Sequence, residues 1–229
     1  MKKLIFSLCF LLICGNAFAA ISFDSYSEGE DTASYTNTFA HTVAVQDDRI
    51  LIVSTAGTFN TAVTGVTYNG DSLIQIESAL TVSNLEVSAW YMLAPDTGTH
   101  NVVVTMASFP NSASTATSYY GVKQQAPEAT SNATGTGTAL SDAVTTITSN
   151  AWVVDSAFNA SGTLAVGAGQ TERGSGRYQS VSTEPKVSAG SVTMSWTVSE
   201  SSAWGTILSS WEEASSSPTG RTRRTMVIQ

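Results

Sequence analysis

Short strand-like runs separated by turn residues recur along the chain, and beyond residue 19 no segment keeps the apolar spacing of a helix. The runs at 50–53 (ILIV) and 152–154 (WVV) are apolar on both faces and predict central strands covered on both sides. The run at 85–92 alternates and predicts a half-buried strand. Asn69-Gly70 is a strong hairpin turn. This pattern predicts an all-β fold, a two-sheet antiparallel β-sandwich or jelly roll of about a dozen strands.

The chain also contains a pseudo-repeat of two halves. The first copy comprises 49–57 (RILIVSTAG), 98–106 (GTHNVVVTM) and 115–122 (TATSYYGV). The second comprises 151–159 (AWVVDSAFN), 189–196 (AGSVTMSW) and 203–211 (AWGTILSSW). Each copy predicts three strands: a central strand covered on both faces, a strand that begins at or near a glycine, and a strand that contains aromatic residues. We therefore expect two halves that share one core, with residues 124–138 as the crossover between them.

The first nineteen residues have the order of a removable secretory signal. Lys2 and Lys3 precede an apolar run at 4–13, and Ala17 and Ala19 supply the small residues before a cleavage site. The apolar run is too short to span a bilayer core of roughly 30 Å. We expect cleavage after Ala19, a β-sandwich domain over 20–214, and a Ser-rich linker with a basic tail over 215–229. The mature chain should have no transmembrane segment and be extracellular or virion-associated.

Loss of the signal changes both the cysteine content and the charge. The only cysteines, Cys9 and Cys14, leave with it, so the mature chain has no disulfide and no cysteine-ligated metal. Eight basic and eighteen acidic residues remain, which gives the mature chain a net charge of −10. Such a body is repelled by nucleic acid and by anionic membrane surfaces.

Several motifs carry a resemblance to a known group of domains. They are GVTYNG (65–70), WYMLAP (90–95), GTHNVVVT (98–105), GAGQT (167–171) and SVTMSW (191–196). Over about residues 40–213 the chain resembles jelly-roll (concanavalin- or LamG-like) β-sandwich domains of secreted bacterial proteins and of phage or viral structural proteins. The resemblance implies binding, adhesion or virion architecture, and it brings no catalytic residues.

The residues themselves offer little for catalysis or metal binding. His41 and His100 are isolated from each other in sequence, and no strand carries the same-face carboxylates that glycoside hydrolysis requires. We therefore predict a protein that is not an enzyme and has no cofactor. Glu28, Glu30 and Asp31 form a weak calcium candidate, and a solvated acidic loop is the favoured interpretation of them.

The segment 171–179 (TERGSGRYQ) is the most ligand-like part of the chain. It gathers charged, aromatic and amide side chains between glycines, and Trp204 is the tryptophan most expected to reach the surface. The alternative is a solvated hairpin whose arginines pair with the acidic body. The predicted ligand-binding residues are Glu172, Arg173, Arg177, Tyr178, Gln179 and Trp204.

Together these features favour a secreted, non-enzymatic structural or adhesive module that binds a glycan or a cell surface. A virion or appendage subunit, assembling with other copies through sheet edges and the basic tail, is the first alternative. A carbohydrate-active enzyme with dispersed carboxylates is the alternative from another class.

Overall fold

The computed structural model describes residues 20–215, and all regular structure in that range is antiparallel β. The predicted signal (1–19) and all but the first residue of the predicted linker and tail lie outside the described residues. The first half of the described chain forms β1 (Ser22–Asp31), β2 (Thr36–Val43), β3 (Ile50–Thr58), β4 (Val63–Tyr68), β5 (Asp71–Ser72), β6 (Ile74–Gln75), β7 (Leu80–Val82), β8 (Leu85–Leu93), β9 (Gly98–Met106) and β10 (Ser112–Tyr120). The second half forms β11 (Ala129–Thr146), β12 (Ala151–Asn159), β13 (Leu164–Val166), β14 (Thr171–Gly176), β15 (Gln179–Lys186) and β16 (Gly190–Trp211).

The first half is a jelly roll. One sheet has the order β1-β10-β3-β8, with the short β6 and β7 both paired to β8, and the other has the order β2-β9-β4-β5. Without β6 and β7, the eight strands follow the order 1-8-3-6 and 2-7-4-5, which is the double Greek key of a jelly roll. Leu51, Val53, Val66, Val102 and Val104 fill the space between the two sheets. The predicted jelly-roll sandwich is confirmed in this half.

The second half repeats this strand order with fewer, longer strands. Residues 203–211 of β16 pair with β12 and with 129–137 of β11, and β15 pairs with the other side of β12. Residues 190–197 of β16 pair with 139–146 of β11, and β13 adds to the same part of β16. Thus β11 corresponds to β1 and β2 joined end to end, and β16 corresponds to β9 and β10. The predicted pseudo-repeat is confirmed.

The halves stack face to face about an approximate two-fold axis. Ser54 of β3 and Ser156 of β12 occupy equivalent positions in the two repeats, and their hydroxyl oxygens lie 2.6 Å apart. The other contacts are reciprocal between corresponding strands: Gly205 of β16 abuts Val82 of β7, while Thr115 of β10 abuts Gly176 of β14. β7 pairs with β8 as β14 pairs with β15. Such i-to-j and j-to-i contacts are the signature of an isologous interface, here within one chain.

Three details differ from the sequence prediction. There are sixteen strands in three sheets, and each half has an interior of its own in addition to the interface between the halves. The crossover is residues 121–128, because 129–138 already belong to β11. Residues 129–138 carry no apolar side chain larger than alanine, and they form the edge of their sheet. The crossover is anchored by Glu128, whose carboxylate accepts hydrogen bonds from the backbone of Ile147 and Thr148.

The acidic segment predicted to be a loop is also a strand. Glu28, Glu30 and Asp31 lie in β1, along the register that pairs β1 with β10. Glu28 accepts a hydrogen bond from the Tyr26 hydroxyl at 2.8 Å. Within residues 20–215 there is no group of three or more His, Cys, Asp or Glu side chains placed to hold a metal ion.

The stacked sandwiches have two distinct ends. At the terminal end, where residues 20 and 215 lie, Ile21 and Trp211 share one apolar cluster. At the loop end, Ala56 of β3 and Phe158 of β12 share another, so the loops after these two strands emerge side by side. A nine-residue strand separates the two ends by about 30 Å. No helix in residues 20–215 has the length and apolarity needed to cross a membrane.

Candidate ligand-binding site

An open cavity of about 320 Å³ lies at the loop end of the second half. One wall is the loop after β12, residues 159–164, and the other is the hairpin tip between β14 and β15, residues 175–180. This volume is at the small end of the roughly 300–1,000 Å³ of small-molecule sites. Three of the predicted ligand-binding residues, Arg177, Tyr178 and Gln179, line the cavity.

The hairpin tip presents Arg177 at the rim. Arg177 and Tyr178 form the two-residue turn between β14 and β15, and Tyr178 has a positive φ of 69°, which is uncommon outside glycine. The Tyr178 ring packs against the apolar cluster around Phe158. The Arg177 guanidinium carbon lies 4.9 Å from the centre of that ring, a cation–π contact. Arg177 is exposed, and its guanidinium N–H groups are donors that suit a polar ligand.

The opposite wall is preformed by hydrogen bonds. The buried Asn159 donates its side-chain amide to the carbonyls of Ser161 and Gly162, which closes the loop on itself. Its backbone N–H donates to the Tyr178 carbonyl at 2.9 Å and so joins the two walls. The Ser161 backbone N–H donates to the Ser202 hydroxyl oxygen on β16. The cavity therefore has a fixed shape, which reduces the ordering cost of binding a ligand.

Two of the predicted residues serve the interface between the halves. Gln179 is buried, and its amide, with the oxygen turned toward β10, accepts from the Thr115 backbone N–H at 2.9 Å. Arg173 stands at a register shift in β14, with its guanidinium carbon 4.9 Å from the Phe23 ring centre and 5.4 Å from the Trp152 ring centre. Phe23 belongs to the first half and Trp152 to the second, so Arg173 joins the halves.

The other two predicted residues lie outside the cavity. Glu172 is exposed on β14. Trp204 is half-buried: its ring packs so closely over Gly135 that a Cβ there would lie 2.3 Å from it, and the indole nitrogen is buried. The Trp204 backbone is paired with that of Asn159, a residue of the cavity wall, in the β12–β16 ladder. The structure thus gathers only part of the predicted set.

Exposed aromatic side chains at the loop end of the first half escaped the sequence prediction. Tyr35, Phe59 and Phe109 are 49%, 75% and 58% exposed, and we call them the aromatic patch. They stand on the loops after β1, β3 and β9. The signal that could have revealed them is a lone aromatic residue between turn-forming residues, as in Thr58-Phe59-Asn60 and Ser108-Phe109-Pro110.

A second feature missed from the sequence is a buried serine–histidine network. The Nδ1 of His41 lies 2.8 Å from the Ser27 hydroxyl oxygen, and its Nε2 lies 3.3 Å from that of Ser25. Ser25 continues to Ser118, which donates to the Asp24 carboxylate at 2.7 Å. Burial lowers the pKa of His41 to about 4. Such an imidazole is neutral at pH 7 and a weak base, so we interpret the network as structural.

The second half contains a buried carboxyl group. Asp155 on β12 is fully buried and accepts hydrogen bonds from the Trp196 indole N–H at 2.6 Å and from the Thr206 hydroxyl. The pKa of Asp155 is raised to about 7, mainly by burial and also by the nearby Asp142 carboxylate, while the two hydrogen bonds oppose the rise. Because Trp196 and Thr206 lie in the two parts of β16, this group ties both parts to the central strand.

Comparison with known proteins adds no family to this description. No protein-family model and no curated protein matches the chain. The site must therefore be interpreted from its own geometry and chemistry.

Proposed function

We propose that this chain is a secreted, non-enzymatic adhesive module that binds glycans at its loop end. The observation that carries the proposal is the preformed cavity with Arg177 and Tyr178 at its rim. Loops held by a rigid sandwich are where such domains place recognition.

The lining of the cavity favours a sugar over other small ligands. Backbone groups and hydroxyl side chains of Ser161, Thr163, Ser175 and Ser180 surround it, and a guanidinium stands at its edge. Sugar hydroxyl groups are donors and acceptors that match such groups, and the Tyr178 ring adds an apolar surface. The net charge of −10 opposes anionic polymers, so the expected ligand is a neutral glycan.

The position of the site agrees with attachment. The cavity and the aromatic patch lie at the loop end, about 30 Å from the end where residues 20 and 215 lie. A protein held through either terminus would present this site outward.

A glycan array screened with the mature protein tests the proposal, and binding to at least one neutral glycan is the expected result. Arg177→Ala should weaken that binding about tenfold or more, a loss of about 1.4 kcal/mol. Glu172→Gln is the matched control, because Glu172 is an exposed charge on the same hairpin but outside the cavity, and it should bind like the wild type. Thermal melting of both variants checks their folding.

Two results would contradict this proposal. If the wild type bound no glycan, the adhesive function would be wrong. If Arg177→Ala bound as tightly as the wild type, the cavity would not be the site. Release of reducing sugar from a bound glycan would instead favour the enzyme alternative.

One observation favours the alternative of a virion or appendage subunit. β11 is eighteen residues long and, within residues 20–215, pairs along only one edge, with β16. Its solvent-facing positions carry no lysine or proline, the residues that usually protect an edge strand from pairing. Large oligomers in size-exclusion chromatography, lost on Thr134→Lys or on truncation at Ser215, would support assembly through this edge and the tail. A monomer would contradict it.

A further inference from the structure

The aromatic patch stands on loops that are tied together by hydrogen bonds, and two of its rings are in contact. The rings of Tyr35 and Phe109 lie 3.9 Å apart between centroids and are tilted by 52°. Their loops are held by backbone hydrogen bonds: the Met106 N–H donates to the Tyr35 carbonyl at 2.8 Å, and the Ala33 N–H donates to the Pro110 carbonyl at 3.1 Å.

The third member of the patch stands on a loop fixed to the same scaffold. Thr58, next to Phe59, donates its backbone N–H to the Asn111 carbonyl, and the Asn111 N–H donates to the Thr58 hydroxyl oxygen, both at 3.0 Å. The Thr61 and Ser108 hydroxyl oxygens lie 2.9 Å apart and join the two loops again. Large aromatic side chains normally bury their area. Three of them held in the open by ordered loops indicate a surface that contacts something outside the molecule.

The patch and the cavity lie at the same end of the stacked halves. The patch loop after β3, which carries Phe59, corresponds to the cavity loop after β12, and the apolar cluster shared by the ends of these two strands places both loops at the same end of the stack. Contacts run from one to the other: the Asn60 N–H donates to the Asn84 carbonyl, and Val82 of the same hairpin abuts Gly205. Trp204, adjacent to Gly205, pairs with Asn159 in the cavity wall.

We infer that the aromatic patch is a second subsite, on which the same glycan chain that enters the cavity continues, so that the protein recognises an extended oligosaccharide and not a single terminal sugar. This inference rests on the proposed function. Flat aromatic faces suit the apolar C–H faces of sugar rings, and Ser34, Asn60 and Ser108 beside the patch supply polar groups for their hydroxyls. Two weak contacts on one chain reinforce each other, because the second forms at a high effective concentration.

The acidic character of the molecule argues against a lipid surface as the occupant. Cellular membranes carry anionic lipids, and a protein of net charge −10 is repelled from them. A neutral glycan chain meets no such barrier.

A chain-length series tests this inference. Neutral cello-, chito-, manno- and malto-oligosaccharides of one to eight sugars are titrated into the mature protein by calorimetry. For the series that binds, affinity should rise about tenfold or more as the chain grows from one or two sugars to six. Phe59→Asn, which keeps a residue tolerant of the positive φ of 60° at that position, and Phe109→Ala should abolish this gain while leaving the affinity for the shortest ligand unchanged.

Ile147→Ala is the matched control, since Ile147 is a large apolar residue exposed by 67%, at the terminal end. It should keep the full gain with chain length. If short ligands bind but length adds nothing, or if the gain survives both aromatic variants, the second subsite is wrong while the cavity stands. If no glycan of any length binds, the proposed function and this inference both fail. Binding to phosphatidylcholine vesicles that Phe59→Asn abolishes would assign the patch to lipid and overturn the inference.

Discussion

Replacing Asp155 by asparagine should make the stability of this protein less dependent on pH. In the native state the carboxyl is fully buried between Trp196 and Thr206, and no basic residue is among the groups that shift its pKa. An asparagine can keep the geometry, because its amide oxygen can accept from the Trp196 N–H and its amide nitrogen can donate to the Thr206 hydroxyl oxygen. The variant therefore resembles the protonated wild type at every pH.

The direction and size of the effect follow from the pKa of Asp155. It rises from an ordinary value of 3.8 to about 7 on folding, so the folded protein holds a proton that the unfolded chain has released. The stability that this proton confers is complete below pH 3.8 and is lost as the pH rises through about 7. At about 1.4 kcal/mol per pKa unit, the loss amounts to about 4 kcal/mol. Asp155→Asn should have nearly wild-type stability at pH 4 and be more stable by several kcal/mol at pH 8.5.

Urea unfolding of the mature protein, followed by tryptophan fluorescence between pH 4 and pH 8.5, measures this difference. Asp71→Asn is the control, because Asp71 is an exposed aspartate on β5 and its replacement removes the same charge without altering the interior. Stability curves that stay parallel for the wild type and Asp155→Asn across this range would refute the reasoning. They would mean that the folded protein ionises this carboxyl as readily as the unfolded chain does.

Three further outcomes are expected. Gly174→Ala should lower stability by about 1–3 kcal/mol, because its Cβ would lie 2.0 Å from the Tyr26 ring, whereas Gly65→Ala, with nothing within 4 Å, should change the melting temperature little. His41→Gln should remove part of the stability that the wild type loses on acidification. Burial holds the pKa of His41 near 4, so its contribution is present above pH 6.5 and is lost as the pH falls through about 4; urea unfolding at both values measures it. Expressed with its leader in an exporting host, the chain should begin at Ala20 by intact-mass spectrometry, and a product that retains residues 1–19 would contradict the predicted cleavage.

The strands predicted correctly were those whose own residues are mostly apolar and therefore indicate burial. β3 is buried on both faces along its whole length, as its run of apolar residues indicates, and β12 is nearly so. The duplicated motifs also identified the two halves, because a repeated strand order requires repeated patterns. Edge strands were harder to predict. β1 is rich in Ser, Asp and Glu, and the first part of β11 is rich in Thr, Ala and Gly. Such a composition resembles a loop, and it occurs here in strands that are paired along only one edge.

The site was only partly predictable for a related reason. The composition of 171–179 correctly drew attention to the hairpin that carries Arg177 and Tyr178. It could not show that Arg173 and Gln179 face the first half, because that depends on Phe23 and Thr115, which are far away in sequence. Phe59 was missed because one phenylalanine beside a strand most often belongs to the interior. Only the fold shows that the loop carrying Phe59 is exposed at the loop end of the first half.

The opposite placement of the loop end and the terminal end has a mechanical consequence. A ligand held at the loops and a support attached at either terminus would pull the molecule along its strands. In antiparallel sheets the hydrogen bonds lie across the strand direction, so such tension would shear many of them at once and could not open them one by one. Two stacked jelly rolls joined through Arg173 and the paired serines would then share the strain, and the weakest link under force would be the bound ligand and not the protein.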